Sequence, residues 1–259
     1  MSSYIKSEFY RLFRNKWTYL FIGICSLLLL ASNIVLAAVK YSDSNFSYAN
    51  TSFSLINLTM NFSMIYILCI MVASMVFGNE HNNHTMKNSI SYGISRGTIY
   101  FGKLFIQIIY AIVAFTIIIG VHVISGYLLL ENSGAQEFEM LLRACLASLP
   151  LFFFGLAAAN CFVFIIEGVG GAIAASCGLM IVIPWVSNLL GMKFDFFKKL
   201  SNILPMDILN SSSMDESGQV LQFYWTTEAG FRNCWMLGLI QMVIIFIIGY
   251  VVFRKKEIK

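Results

Sequence analysis

The chain has 259 residues, of which 58% are hydrophobic and 12% charged, with a formal net charge of +4 and a mean hydropathy of +0.76. The charged share is about half that of an ordinary soluble domain, which excludes a water-soluble globule. The six cysteines, Cys25, Cys69, Cys145, Cys161, Cys177 and Cys234, fall in or beside apolar runs with no CxxC spacing. They indicate packing, not a disulfide framework or a zinc site.

At the N-terminus, residues 4–16 set Tyr4, Ile5, Phe9, Leu12 and Phe13 against Lys6, Arg11, Arg14 and Lys16. This pattern predicts an interfacial helix in contact with the lipid of an anionic leaflet. The plainer alternative is an amphipathic end that only flanks the first span. It lacks the small-residue cleavage site of a secretory signal, and Trp17 leads directly into a full-length apolar run.

Apolar runs of about 20 residues recur six times, the length that crosses a bilayer core of ~30 Å as a helix. Spans are predicted at 17–39, 58–78, 104–130, 142–165, 169–190 and 232–253. The fold class is therefore an all-α membrane protein with six transmembrane helices in one domain, 1–259. Between the second and third spans, Phe77–Lys103 is rich in Asn, Ser and His. Unpaired amides and imidazoles are too costly in hydrocarbon, so this is an aqueous loop. Within it, Thr85–Ile90 is predicted to form a short surface helix that Gly93 ends.

Three connections are expected on the opposite side. Lys40–Asn57 reads as irregular and Glu131–Met140 as short and acidic. Gly191–Phe231 is long, with Phe194, Phe197, Leu200, Ile203 and Leu204 near helical spacing. They predict a short helix on the outer leaflet stopped by Pro205, and Ser211–Gly218 reads as a mobile tip. In the fifth span, Gly170, Gly171, Ala174, Ala175 and Gly178 stand at four-residue spacings, so small faces would let helices approach closely, within the chain or between subunits. Pro184 removes a backbone donor and is expected to bend that span beside Trp185.

Candidate chemistry is sparse. Gly97 to Lys103 matches GxxxxGK, but Leu104 stands where a phosphate-binding loop needs Ser or Thr, and the segment runs into a span. Glu80, His81 and His84 lack a fourth metal ligand nearby and read as a solvated loop. His122, Gln107, Asn160 and Gln241 are isolated polar groups within spans, and Glu167 sits at the turn between the fourth and fifth. No span centre carries an Asp, Glu, Lys or Arg, which argues against an ion-coupled carrier. No nucleophile and base are arranged for an enzyme, and no cofactor, metal or nucleic acid is expected.

An N-terminal interfacial helix, six spans, and a loop carrying Glu80, Thr85, Lys87, Gly93, Ser95 and Arg96 before Gly102-Lys103 together resemble one family. The chain is similar to exporter-type (type-2) ABC transporter permeases, especially small ones associated with bacteriocin and peptide-antibiotic self-protection. His84 departs from the family's frequent Gly before the Thr. The resemblance implies that a second permease, identical or homologous, pairs with this one and that two ABC ATPase subunits dock from the cytoplasm. It makes the loop around Glu80–Arg96 a cytoplasmic coupling helix and Gly191–Phe231 an outer re-entrant or surface helical element. The function it implies is export of an amphiphile such as an antimicrobial peptide, drug or lipid across a bacterial cell membrane. A non-transporting sensor or scaffold subunit of an ABC-type complex is the alternative.

Placing both termini in the cytoplasm puts 11 of the 17 basic residues inside: Lys6, Arg11, Arg14, Lys16, Lys87, Arg96, Lys103, Arg254, Lys255, Lys256 and Lys259. The positive-inside rule favours this orientation. In intact cells, on a background lacking the native cysteines, Ser213→Cys should react with an impermeant thiol reagent and His84→Cys should not. The reverse pattern would overturn the orientation.

Overall fold

The computed structural model describes residues 2–43, 46–82, 90–133, 135–214 and 220–256. Helix α1 (Ser2–Arg14) is separated from α2 (Lys16–Ser42) by Asn15, whose side chain accepts a hydrogen bond from the Trp17 amide at 3.1 Å and caps α2. Helices α3 (Thr51–Met60) and α4 (Ile65–Asn82) meet through a 3-10 turn at Phe62–Met64, with a bend of 54°. Two long helices follow, α5 (Arg96–Leu129) and α6 (Ala135–Ile165). The next span is built from α7 (Val169–Cys177), a π-helical turn at Gly178–Val182, and α8 (Ile183–Gly191).

Short helices α9 (Asp195–Ser201) and α10 (Pro205–Asn210) lead to two antiparallel strands, β1 (Ser212–Met214) and β2 (Val220–Phe223), with Ser213 opposite Gln222. Helix α11 (Glu228–Lys255) closes the chain. Five of these helical spans are long and apolar enough to cross a membrane, and the bent α3–α4 pair makes six. The all-α membrane class expected from composition is what the chain adopts, with one small two-stranded ribbon added.

Several boundaries differ from expectation. The stretch 40–57 is helical from Thr51, because the Asn50 side chain accepts from the Phe53 amide at 2.7 Å and starts a helix. Its hydroxyls are turned inward to partners: Ser54 donates to Asn33 Oδ1 at 2.6 Å and Thr59 to the Leu55 carbonyl at 2.8 Å. A polar composition that reads as loop is thus absorbed by the bundle. The second crossing consequently begins at Thr51 and breaks at Asn61. Helix α6 begins at Ala135, taking up much of the connection expected at 131–140. Pro205 opens α10 as well as following α9, since at a first helical turn its missing N–H loses no partner. In the fifth span the irregularity starts at Gly178, six residues before Pro184. Of the tip expected at 211–218, Ser212–Met214 form β1 and 215–218 lie outside the described residues, as does the surface helix expected at 85–90 except Ile90.

Polar contacts sort the connections onto two sides. At one end, Arg96 binds carbonyls at the C-terminus of α11, and Lys256 Nζ donates to the Ile165 carbonyl at 3.1 Å. At the other, the Thr51 amide donates to the Glu131 carbonyl at 2.9 Å, and Lys40 pairs with Glu131. Both ends of the chain, the loop after α4 and the α6–α7 turn therefore share one side.

Helix α6 is the centre, with 78% of its most apolar window buried against 6% for α2 and 17% for α11. Outward Leu and Ile on the peripheral helices face a solvent as apolar as themselves, so helix association rests on close packing and polar contacts. Glycines supply that packing. Gly155 lies against Tyr66 and Cys69, Gly238 against the Pro150–Leu151 backbone, and Gly249 against Tyr100 and Cys161. A Cβ at Gly249 would collide with the Tyr100 hydroxyl and stand 2.9 Å from Cys161 Sγ, whereas one at Gly23 meets nothing within 4 Å. Gly249→Ala should therefore destabilise the solubilised protein by about 1–3 kcal/mol. Gly23→Ala should stay within about 0.5 kcal/mol of the parent. Thermal midpoints in detergent would check the ranking.

Candidate functional site

Helix α1 buries Tyr4, Glu8 and Leu12, which stand four residues apart and so share one face. Phe13 on another face is exposed. Glu8 Oε2 accepts from Lys103 Nζ at 2.6 Å and from Arg11 Nη2 at 2.5 Å, and Arg11 also donates to the Val76 carbonyl at 3.2 Å. Lys103 has no exposed surface and its ammonium lies 5.2 Å from the centroid of the Phe77 ring. One cluster thus ties α1 to both α4 and α5. A cleft lined by Glu8, Arg11, Asn15, Met75, Val76 and Ile106 opens beside it.

The GxxxxGK stretch is the first two turns of α5. Gly102 makes room for the Tyr4 ring, which would lie 2.9 Å from a Cβ there, and Lys103 holds Glu8. These residues join helices; they form no phosphate cradle.

At the far end of the loop, Gly93 has φ +83° and its amide donates to the Ile90 carbonyl at 2.9 Å, a helix-ending turn that favours glycine. Ser95 caps α5, its hydroxyl accepting from the Thr98 amide at 3.1 Å. Arg96 Nη1 then reaches the carbonyls of Phe253, Arg254 and Lys256 at 3.0, 2.8 and 2.6 Å. Carbonyls at a helix C-terminus lack intrahelical donors and carry the negative end of its dipole, so a guanidinium is well matched to them. One turn on, Tyr100 is packed among Phe164, Phe246 and Tyr250, with centroids at 5.0, 5.2 and 5.9 Å.

Of the loop residues singled out from the sequence, Gly93, Ser95 and Arg96 are brought together at this joint. Glu80 lies on the extension of α4 to Asn82, with its side chain outside the described residues. Thr85 and Lys87 fall outside them, as do the side chains of His81 and His84.

The small residues of the fifth span face away from the chain's own bundle. Gly170, Gly171 and Ala174 are exposed, Ala175 and Gly178 are half-buried, and the buried positions of α7 are Ala172 and Ser176. A Cβ at Gly170 or Gly178 would meet nothing within 4 Å.

The isolated polar groups within spans take several places. His122 joins a buried network in which Asn33 Nδ2 donates to the His122 carbonyl at 3.0 Å and to Ser125 Oγ at 2.8 Å, with Ser54 Oγ 3.0 Å from His122 Nε2. Gln107 is fully buried with no hydrogen-bond partner among the described residues, and Asn160 is fully buried in α6. Glu167 lies 3.9 Å from Lys256. Glu8 and Asn33 were not singled out from the sequence. A lone acid four residues from both Tyr4 and Leu12, in a basic helix, was the signal available for the first.

On the opposite side, α9 folds back against α8, where Gly191 leaves space for the Lys198 backbone. Gln241 Nε2 donates to the Ile203 carbonyl at 2.8 Å. Gln241 stands about 20 Å along α11 from Glu228 at 1.5 Å per residue. The α9–α10 segment therefore reaches back to the middle of α11, where the sequence left open a re-entrant or a surface element. Asn188 donates to Asp207, Trp225 Nε1 donates to the Leu209 carbonyl at 3.3 Å, and burial pushes the Asp207 carboxyl up to about 6 against the Asn188 hydrogen bond.

Fold and contacts define a multi-pass helical membrane protein whose first polar loop runs into a joint between three spans. The chain belongs to the ABC-2 family of transporter proteins: the family's sequence pattern, described as ABC-2 family transporter protein, matches residues 4–197, from α1 into α9. It is thus a membrane permease subunit of an ABC transporter, and membership implies association with ABC ATPase subunits. No curated protein matches the chain.

The buried cluster on α1 gives a direct test. Glu8→Ala takes the carboxylate from a fully buried ammonium and should destabilise the protein by about 3–5 kcal/mol. Glu8→Ala combined with Lys103→Met should recover most of that loss in detergent thermal melts. A double variant no more stable than the single one would deny the pair this role.

Proposed function

We propose that this permease works in an ATP-driven exporter, paired with a second permease, identical or homologous, and served by two ABC ATPase subunits. The observation that carries the reading is the family match over residues 4–197, which contains the whole Phe77–Lys103 loop. That loop shares its side with both chain ends and with most of the basic residues, as a cytoplasmic docking element would. The segment Glu80–Arg96 is the coupling helix that a partner ATPase engages, and α1 lies along the inner leaflet of the bacterial cell membrane. Gly170 and Gly178, where a Cβ would meet nothing within 4 Å, and the exposed Ala174 favour a close helix contact of the Gly170, Gly171, Ala174, Ala175 and Gly178 faces with the second permease, although Gly171 also lies against Ile166 of its own chain. The cargo is an amphiphile such as an antimicrobial peptide, drug or lipid, extracted from the cell or its membrane.

Co-expression with a candidate ATPase, purification on a tag carried by this chain, and measurement of ATP turnover in liposomes test the reading. An ATPase with its own phosphate-binding loop should co-purify. Turnover should fall in Gly171→Leu and Ala175→Leu but persist in Leu128→Ala, at an exposed position on α5. Equal turnover in all three would remove the fifth span from the subunit interface. A stable complex that hydrolyses ATP yet moves no amphiphile would favour a sensor or scaffold subunit.

A further inference from the structure

We propose that α11 is the rod through which the loop after α4 acts on the outer α9–α10 hairpin, clasped by Arg96 at its inner end and by Gln241 midway along. The inference rests on the transport reading above, since it is the ATPase that would drive the loop. Two residues separate the turn at Gly93 from Arg96, and Ser95 is fixed as the cap of α5. A displacement of the loop's end therefore reaches the Arg96 guanidinium with little slack. Its three carbonyl contacts all fall on the last turn of α11 and the residue after it. The grip is reinforced by Gly97 beneath Tyr250 and by Tyr100, whose hydroxyl donates to the Phe246 carbonyl at 3.3 Å.

An α-helix is continuous through its own hydrogen bonds, so movement at Phe253 is carried along α11 to Gln241. There the only amide side chain in the apolar middle of the helix holds the Ile203 carbonyl. Ile203 lies between α9 and α10, outside any helix, and backbone of this kind is tolerated at membrane depth only where protein satisfies it. One face of α11 is locked to α6 at Gly238 and Gly249, so the two helices move as one unit, while Met236, Leu239, Ile240, Ile244 and Ile247 on its other face are exposed where lipid would be and offer no resistance. Arg96 and Gln241 are thus positioning residues for transport, acting through α11 on an outer element that neither the loop nor the ATPase could touch.

The test uses the complex with its ATPase in liposomes, with the six native cysteines replaced and Asn202→Cys placed at the exposed turn beside Ile203. The readout is labelling by an impermeant maleimide from the outer side, with and without a non-hydrolysable ATP analogue. In the parent, nucleotide should change the labelling rate by about fivefold or more, the low end of ordinary coupling between sites. Gln241→Leu, its closer-shaped counterpart Gln241→Met, and Arg96→Gln should bring that ratio near one while nucleotide binding and assembly persist. Arg96→Lys should keep part of the response, and Leu239→Ala all of it. An undiminished response in the Gln241 variants would overturn the inference. A parent complex that hydrolyses ATP without any nucleotide-dependent labelling would overturn it alone, whereas failure of any ATPase to associate would overturn the transport reading and this inference together.

Discussion

The end of the molecule that carries both chain ends depends on one contact, the buried ion pair of Glu8 and Lys103 at the edge of a cleft. Lys103 is wholly buried and Glu8 nearly so, at 0% and 6% exposure. An ammonium or a carboxylate removed from water on its own is penalised by several kcal/mol, so each group is acceptable there because of the other. Once the pair forms, α1 is no longer a basic segment free to choose its place. It is held across α4 and α5, with Arg11 bonded to the Val76 carbonyl and Tyr4 pressed into the space that Gly102 leaves. The polar loop between those two helices consequently leaves the bundle from a braced site.

The rest of the fold uses two further devices suited to a lipid solvent. Helix ends on the side of the chain ends are capped by cations of neighbouring segments, Arg96 on α11 and Lys256 on α6. Such contacts answer carbonyls that a helix cannot satisfy itself. Within the bundle, where apolar burial gives little net drive, contact is made close by glycine at positions 155, 238 and 249. Tight joints run along the seam between α6 and α11, at Gly238 as well as Gly249, while α2 and the exposed positions of α7 remain open. The molecule thus has a firm interior seam and broad apolar faces offered to lipid or to another chain.

The family match covers α1 through the fifth span, and membership implies association with ABC ATPase subunits. Arg96, Tyr100 and Phe253 join α5, α6 and α11 on the side that carries both chain ends, while α2 and much of α11 keep apolar faces exposed. Part of the outer hairpin and all of α11 lie beyond the matched residues, so their arrangement is described by contacts within this chain.

Six membrane crossings, an amphipathic start and a polar loop after the second span were legible in the sequence, because length and hydropathy are one-dimensional properties that a bilayer reads directly. Gly93 as a helix end and Ser95 as a cap were legible or nearly so for the same reason, being local. Thr51–Met60 was not, because its polar residues signal a loop until Asn33 and the Ser133 carbonyl are brought beside them. Nor was the role of Lys103, which along the chain belongs to a false phosphate-loop pattern and in space belongs to Glu8, 95 residues away. The small residues of the fifth span drew the eye, yet the close approaches between long helices at Gly155, Gly238 and Gly249 follow no spacing rule. By itself the sequence determined which segments enter the membrane, since each segment's transfer free energy depends on its own composition. Only the tertiary structure decided which charges could be buried, which glycines mattered and where Arg96 and Gln241 make their bonds, since each depends on a partner distant in the chain.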